Sequence, residues 1–133
     1  VEKFNYYKDL GYKIVYCIGE SLQIREAGKK IMMNYLHSQF DGIDLEYENL
    51  IVAYEPVWAI GTGLTPTLED IESLHVELKS TCSAPLLYGG SVKVTNAGEV
   101  LALNGVDGIL VGSAALYAEH FCSMIQFAQN LEN

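Results

Sequence analysis

The sequence predicts an α/β protein built from parallel βα units, and three observations carry that expectation. Four short runs, residues 13–18, 50–54, 85–88 and 108–111, are continuously apolar, not alternating, which is how parallel strands covered on both faces read. Each stops on a turn containing glycine or proline. Each is followed by a stretch with helical apolar spacing. Such a repeat forms either an open doubly wound sheet or part of a closed barrel, and the spacing leaves both open. Either way, ligands belong at the C-terminal strand ends.

The elements follow in order. Residues 2–10 have Phe4, Tyr7 and Leu10 three apart, with Gly11 placed to end a helix. The first strand, 13–18, closes on Gly19-Glu20. From 21 to 40, Ile24, Ala27, Ile31, Tyr35 and Leu36 keep the spacing of one long amphipathic helix. A polar loop at 41–48 leads to the strand 50–54. Thr67 with Asp70 three residues on forms the start of a capping box, and Leu68, Ile71, Leu74 and Leu78 continue it as an apolar stripe. The third strand, 85–88, ends on Gly89-Gly90-Ser91. Thr95 or Asn96 then caps a short helix through Leu103, which Asn104-Gly105 ends. A fourth strand, 108–111, ends on Gly112-Ser113. The last helix, 116–131, places Ala118, Phe121, Cys122, Ile125 and Ala128 on one face.

The 133 residues make one domain's worth of chain, half of them hydrophobic, so the chain is globular. A net charge of −9 argues against a nucleic-acid partner, which needs a clustered basic surface. A small phosphorylated metabolite remains open, because backbone N–H groups bind phosphate without Lys or Arg. Cys17, Cys82 and Cys122 show neither CxxC spacing nor an even count, which indicates no zinc site, no disulfide framework and a reducing cytoplasm. No apolar run approaches the ~20 residues of a membrane span. No signal peptide precedes the first strand, and the chain does not begin with Met.

The chemistry concentrates at 50–63. An apolar strand ends on Glu55, and Pro56 has no N–H to continue a ladder. The next residues include Val57, Trp58 and Ile60, where turn chemistry favours small polar ones. With Gly61 and Gly63 at its far end, this stretch reads as a lid or as a buried connection packed by Trp58. Behind an apolar flap, a carboxylate is desolvated and becomes a stronger base, suited to taking a proton beside a carbonyl. Gly89-Gly90-Ser91 and Gly112-Ser113, each just ahead of a helix, can aim N–H groups at one anion and together form a phosphate cup. Either turn alone is equally an ordinary βα connection. His37, His75 and His120 fall inside helices and read as surface or half-buried. Lys13 opens a strand at the end away from the ligand sites, Lys93 is a solvated loop charge, and Cys17 is a small buried hydrophobe. Asp41, Asp44, Glu46 and Glu48 form a solvated face.

Ala-Tyr-Glu-Pro-Val-Trp-Ala-Ile-Gly-Thr-Gly at 53–63, read with Tyr-Gly-Gly-Ser-Val at 88–92, closely resembles the triosephosphate isomerase family. The likeness extends to Cys17-Ile18-Gly19-Glu20, to Arg25-Glu26-Ala27-Gly28, and to 106–112, in order along the chain. It implies the C-terminal half of a TIM (β/α)8 barrel: four parallel βα units preceded by a helix, 1–133 as a single partial domain, beginning in the fourth helix. It implies that Glu55 moves a proton between the carbons of glyceraldehyde 3-phosphate and dihydroxyacetone phosphate. Residues 56–66, including Pro56, Thr62 and Gly63, match a closing loop. Gly61, Ser91, Gly112 and Ser113 match phosphate-binding positions, and Ile60 and Leu110 an apolar clamp on the base. Trp58 and Glu20 match a pair joined by an indole hydrogen bond in the open loop, and Tyr88 a latch of the closed one. Implied too are a triose phosphate substrate, no cofactor or metal, a cytoplasmic location, and a homodimer for the complete enzyme.

Four departures qualify the likeness. Ser113 replaces a usual second glycine but keeps its N–H, and Leu64 replaces a usual lysine. Pro66 stands where the latch tyrosine usually receives an N–H, so Tyr88 must hold the loop differently. A complete barrel has eight strands and ~250 residues, and the family's electrophilic histidine, lysine and asparagine belong to the other half. The two sheet edges left unpaired, 13–18 and 108–111, imply self-association as a phosphate-binding half barrel.

Overall fold

The structure is a computed structural model describing residues 1–62 and 64–132; Gly63 of the loop lies outside the described residues. Among these, the order is α1 (Glu2–Asp9), β1 (Ile14–Ile18), α2 (Leu22–Glu26), α3 (Lys29–Ser38), β2 (Leu50–Tyr54), α4 (Leu68–Lys79), β3 (Leu86–Tyr88), α5 (Val94–Leu101), β4 (Gly108–Ile109) and α6 (Ala118–Glu132), with short 3-10 turns at Val57–Ala59 and Ser113–Leu116. The four strands form one sheet in the order β1-β2-β3-β4, every pair parallel. That is the βα repeat expected, with half the strand number of a complete barrel.

The register places side chains on two faces by parity. Tyr16, Val52 and Leu86 align across the sheet, as do Ile18, Tyr54 and, through Tyr54, Tyr88. Their face carries the helices and the core: Val52, Tyr54, Leu86 and Tyr88 are at most 1% exposed and pack with Met32, Met33, Leu36, Ile71, Leu74 and Leu78. The opposite face, with Val15, Cys17, Ile51 and Leu87, is not covered in the same way: Val15 is 46% exposed and Cys17 is exposed. Coverage of both faces, the expectation from continuous apolar runs, is therefore met on one side only. Cys17 is correspondingly not the buried hydrophobe its strand position suggests, because its parity points it to the uncovered side.

Other departures have local causes. The single helix expected over 21–40 is two, α2 and α3, because Gly28 adopts φ +113, a conformation no helix contains and other residues rarely reach. The break resets the phase, so Met32, Met33 and Leu36 are buried while Ile31 and Tyr35 are exposed. In α1 only Phe4 is buried, edge-on to Tyr16 and Tyr47 at 6.2 Å each, and Tyr7 and Leu10 stay exposed. The first turn of α5 is capped from within: Asn96 Oδ1 accepts the Lys93 N–H at 2.7 Å, so Lys93 is the N-cap residue. In α6 only Met124 is buried; Cys122 is exposed, and Phe121 and Ile125 are exposed along an apolar groove of about 650 Å³ between this helix and the β4 edge. The helix begins at Ala118, and Leu116, expected at its start, belongs to the 3-10 turn Ser113–Leu116 instead. His75 is fully buried in α4, not half-buried, with Nδ1 3.3 Å from the Gly105 carbonyl oxygen. The cap of α4 is as its spacing predicts, Thr67 Oγ1 accepting the Asp70 N–H at 3.1 Å. No described helix is long and apolar enough to cross a membrane.

Candidate active site

At the C-terminal strand ends, parity separates two carboxylates. Glu20 lies two residues beyond Ile18 and folds onto the helix-covered face, where it is fully buried. A buried carboxylate needs donors, and Oε1 has two, the Tyr54 hydroxyl at 2.9 Å and the Trp58 indole N–H at 3.2 Å, with the Arg25 guanidinium as an ion-pair partner at 3.5 Å; Oε2 has no hydrogen-bond partner among the described residues. Arg25 also stacks 4.6 Å over the Trp58 ring and binds Asp70 at 3.0 Å. Burial, then the adjacent Glu20 charge, pushes the Tyr54 phenol far above its ordinary range, so it stays a donor. The loop is thereby held through Trp58, in the indole hydrogen bond that the likeness implies.

Glu55, one residue beyond Tyr54, takes the opposite parity. Its N–H donates to the Ile18 carbonyl at 2.7 Å, which ends β2 against β1. Its side chain is half-buried and lines a cleft of about 1090 Å³ together with Ile60, Gly61, Gly89, Ser91, Leu110, Gly112 and Ser113. The expected base, both phosphate turns and both clamp residues thus meet at one cavity, although 58 residues of chain separate Glu55 from Ser113. Cys17 sits beside it on the same face; burial, then the Glu55 carboxylate, pushes its thiol above the ordinary value.

The loop is partly ordered by its own side chains. Thr62 Oγ1 donates to the Trp58 carbonyl at 2.9 Å and accepts the Leu64 N–H at 3.2 Å. Gly61 has φ +68, a left-handed turn that favours glycine. Pro56 is buried and Ile60 exposed. Ser91 Oγ donates to the Ala59 carbonyl at 2.7 Å, tying the third strand end to the loop, while Asn96 Nδ2 donates to the Ser91 carbonyl at 3.0 Å. Tyr88 is fully buried between Tyr54 and His75, and burial pushes its phenol up to about 12. Its hydroxyl has no hydrogen-bond partner among the described residues.

With Glu55 and the glycine turns facing one cleft, the likeness to known proteins can be weighed. The family model for triosephosphate isomerase matches residues 1–128. The chain belongs to that family. It is 69% identical over 132 residues to a triosephosphate isomerase of Sulfurimonas denitrificans, covering 99% of this chain and 55% of that protein. Corresponding values are 58% over 125 residues, 94% and 54%, for Wolinella succinogenes, and 52% over 128 residues, 95% and 55%, for Helicobacter pylori strain G27. The chain spans about half the length of the curated relatives it matches.

Sequence reasoning did not find two partners of the loop. Tyr54 reads as a strand residue and Arg25 as part of a family motif, yet both hold Glu20. The available signal was that an acid ending an apolar strand must be solvated or paired. Nor does composition distinguish the glycines that face open space from those that press on Glu55. Among the described residues, no group of three or more His, Cys, Asp and Glu is placed to hold a metal.

Proposed function

We propose that this chain supplies the base, the closing loop and the phosphate turns of an isomerase that interconverts glyceraldehyde 3-phosphate and dihydroxyacetone phosphate. The observation that carries this reading is the shared cleft of Glu55 with Gly61, Ser91, Gly112 and Ser113. A carboxylate at one end abstracts the proton next to the carbonyl, and backbone N–H groups at the other hold the phosphate. Ile60 and Leu110 line the same cleft and exclude water from the base as the loop closes. Glu55 has no electrophile of its own here, because His37 and His75 lie on helices away from the cleft and His120 lines it from α6, beside the phosphate turns. Turnover therefore requires a partner part that supplies the electrophile, by the resemblance the four N-terminal βα units of the barrel, and the completed enzyme is a cytoplasmic homodimer.

The test is complementation. Refolding this chain with the N-terminal part of the Sulfurimonas denitrificans relative is expected to give triose phosphate isomerisation, and Glu55→Gln to lower it by a factor of about 10²–10⁴. A complex that folds and does not turn over would refute the reading.

A second reading, a self-associating phosphate-binding half barrel, is favoured by one observation. The sheet face bearing Val15 and the groove beside α6 with Phe121 and Ile125 are apolar and exposed. Apolar surface of this kind is covered by a partner or by a second copy. Sedimentation of the isolated chain separates the readings: a monomer excludes self-association, and a stable dimer that resists complementation favours it.

A further inference from the structure

The two glycines nearest the candidate base are not there for backbone freedom. Neither Gly19 nor Gly89 has a positive φ, so a left-handed turn is not what calls for glycine at either. Space is what excludes them. A Cβ on Gly89 would stand 2.7 Å from Glu55 Cγ and 3.3 Å from its Oε1, and a Cβ on Gly19 would overlap the Glu55 carbonyl oxygen. Neither strand end can retreat: the Gly89 N–H donates to the Tyr54 carbonyl at 2.8 Å, and the Glu55 N–H to Ile18 at 2.7 Å. Gly61 and Gly112, which line the same cleft, have open space where a Cβ would be. Among the described glycines, Gly61 and Gly112 thus face open space while Gly19 and Gly89 are pressed against one acid. Gly90 belongs to neither group, since a Cβ there would overlap the Tyr88 hydroxyl.

We propose that Gly89 and Gly19 are positioning residues for Glu55, forming a cradle that sets the place of the carboxylate at the cleft, Gly89 against the side chain and Gly19 against the backbone. This deepens the isomerase reading and rests on Glu55 being its base. The absence of side chains at the Gly-Gly pair 89–90 is then accounted for by the acid and the tyrosine beside it.

A double-mutant cycle on this chain, read by urea unfolding, tests the cradle without any catalytic assay. Gly89→Ala is expected to lower the unfolding midpoint, and the loss to shrink by at least half in a Glu55→Ala background, where Cγ is gone. Gly19→Ala and Gly90→Ala are expected to lose the same in both backgrounds, because their overlaps are with a carbonyl and with Tyr88. An equal effect of Gly89→Ala in the two backgrounds overturns the proposal. If Gly89→Ala alone does not fold, recovery of folding in the double variant supports the cradle and failure of both overturns it. In the complemented enzyme, Gly89→Ala is expected to lower kcat with KM unchanged within about twofold; a loss confined to KM overturns the positioning role. Should the complemented parent show no turnover, the isomerase reading falls while the unfolding cycle still decides the cradle.

Discussion

Tyr54 and Glu55 are neighbours in the chain and face opposite sides of the same sheet. On the helix-covered side lie Tyr54, Glu20, Tyr88 and His75, all at most 1% exposed. On the other lie Cys17, Glu55 and Gly89, half-buried or open to the cleft. The contrast is sharpest for the two carboxylates. Glu20 accepts two hydrogen bonds and pairs with Arg25 on one oxygen, and anchors the loop through Trp58, whereas Glu55 is enclosed by glycines and lines the cavity. Neighbouring strand ends can thus hold one acid buried under the loop and another facing the cleft, because a shift of one residue changes the face.

If that division is right, substitutions on the covered side change stability first and those on the cleft side change chemistry first. The largest stability effect belongs to Glu20→Ala, which leaves the buried Tyr54 hydroxyl and the Trp58 indole N–H without their acceptor and removes one of the two carboxylates paired with Arg25. Urea unfolding is expected to show a loss of about 3–5 kcal/mol, against about 0.5 kcal/mol or less for Glu55→Gln. Equal losses would break the contrast.

His75 gives the next effect. Burial holds its pKa down to about 4 from an ordinary 6.5. The unfolded chain takes up the proton first as pH falls, so stability drops between pH 6.5 and 4 and levels off below. The shift corresponds to about 3 kcal/mol across that window. His75→Phe is expected to flatten this part of the unfolding profile; an unchanged slope would remove His75 as its source.

Cys17 sharpens the other side. Because burial and Glu55 hold the thiol up, less thiolate is present at a given pH, and Glu55→Gln is expected to speed its alkylation a few-fold near pH 8. Peptide mapping separates Cys17 from the exposed Cys122, and an unchanged Cys17 rate would show that the two groups do not interact.

The smallest effect belongs to Tyr88→Phe. Removing a hydroxyl that has no described partner is expected to change stability by less than about 0.5 kcal/mol. Because Pro66 offers no N–H, it should also leave loop-opening rates near those of the parent. A large slowing or speeding of the loop would show that Tyr88 latches it after all.

Much of the frame is legible in the residues. The strand 50–54 has its observed bounds, since Pro56 must end the ladder and Glu55 cannot join an apolar run. The cap at Thr67 follows from short-range spacing, and the strand-helix order from periodicity. The break at Gly28 is not legible, because glycine in a helical pattern is tolerated as often as it interrupts, and only φ decides. The burial of His75 and the exposure of Cys17 are not legible either, because both depend on what lies across a strand or helix and not on neighbours along the chain.

What the sequence by itself determined was the class of fold, the acid at the end of the second strand, and the family to which its motifs belong. Each follows from residues within a few positions of one another, where steric and hydrogen-bonding preferences act directly. Only the tertiary structure decided which of two acids is buried against the loop anchor and which faces the cleft, and which glycines stand against Glu55. Those outcomes depend on strand register, which brings together residues up to 58 positions apart and which local preferences do not encode.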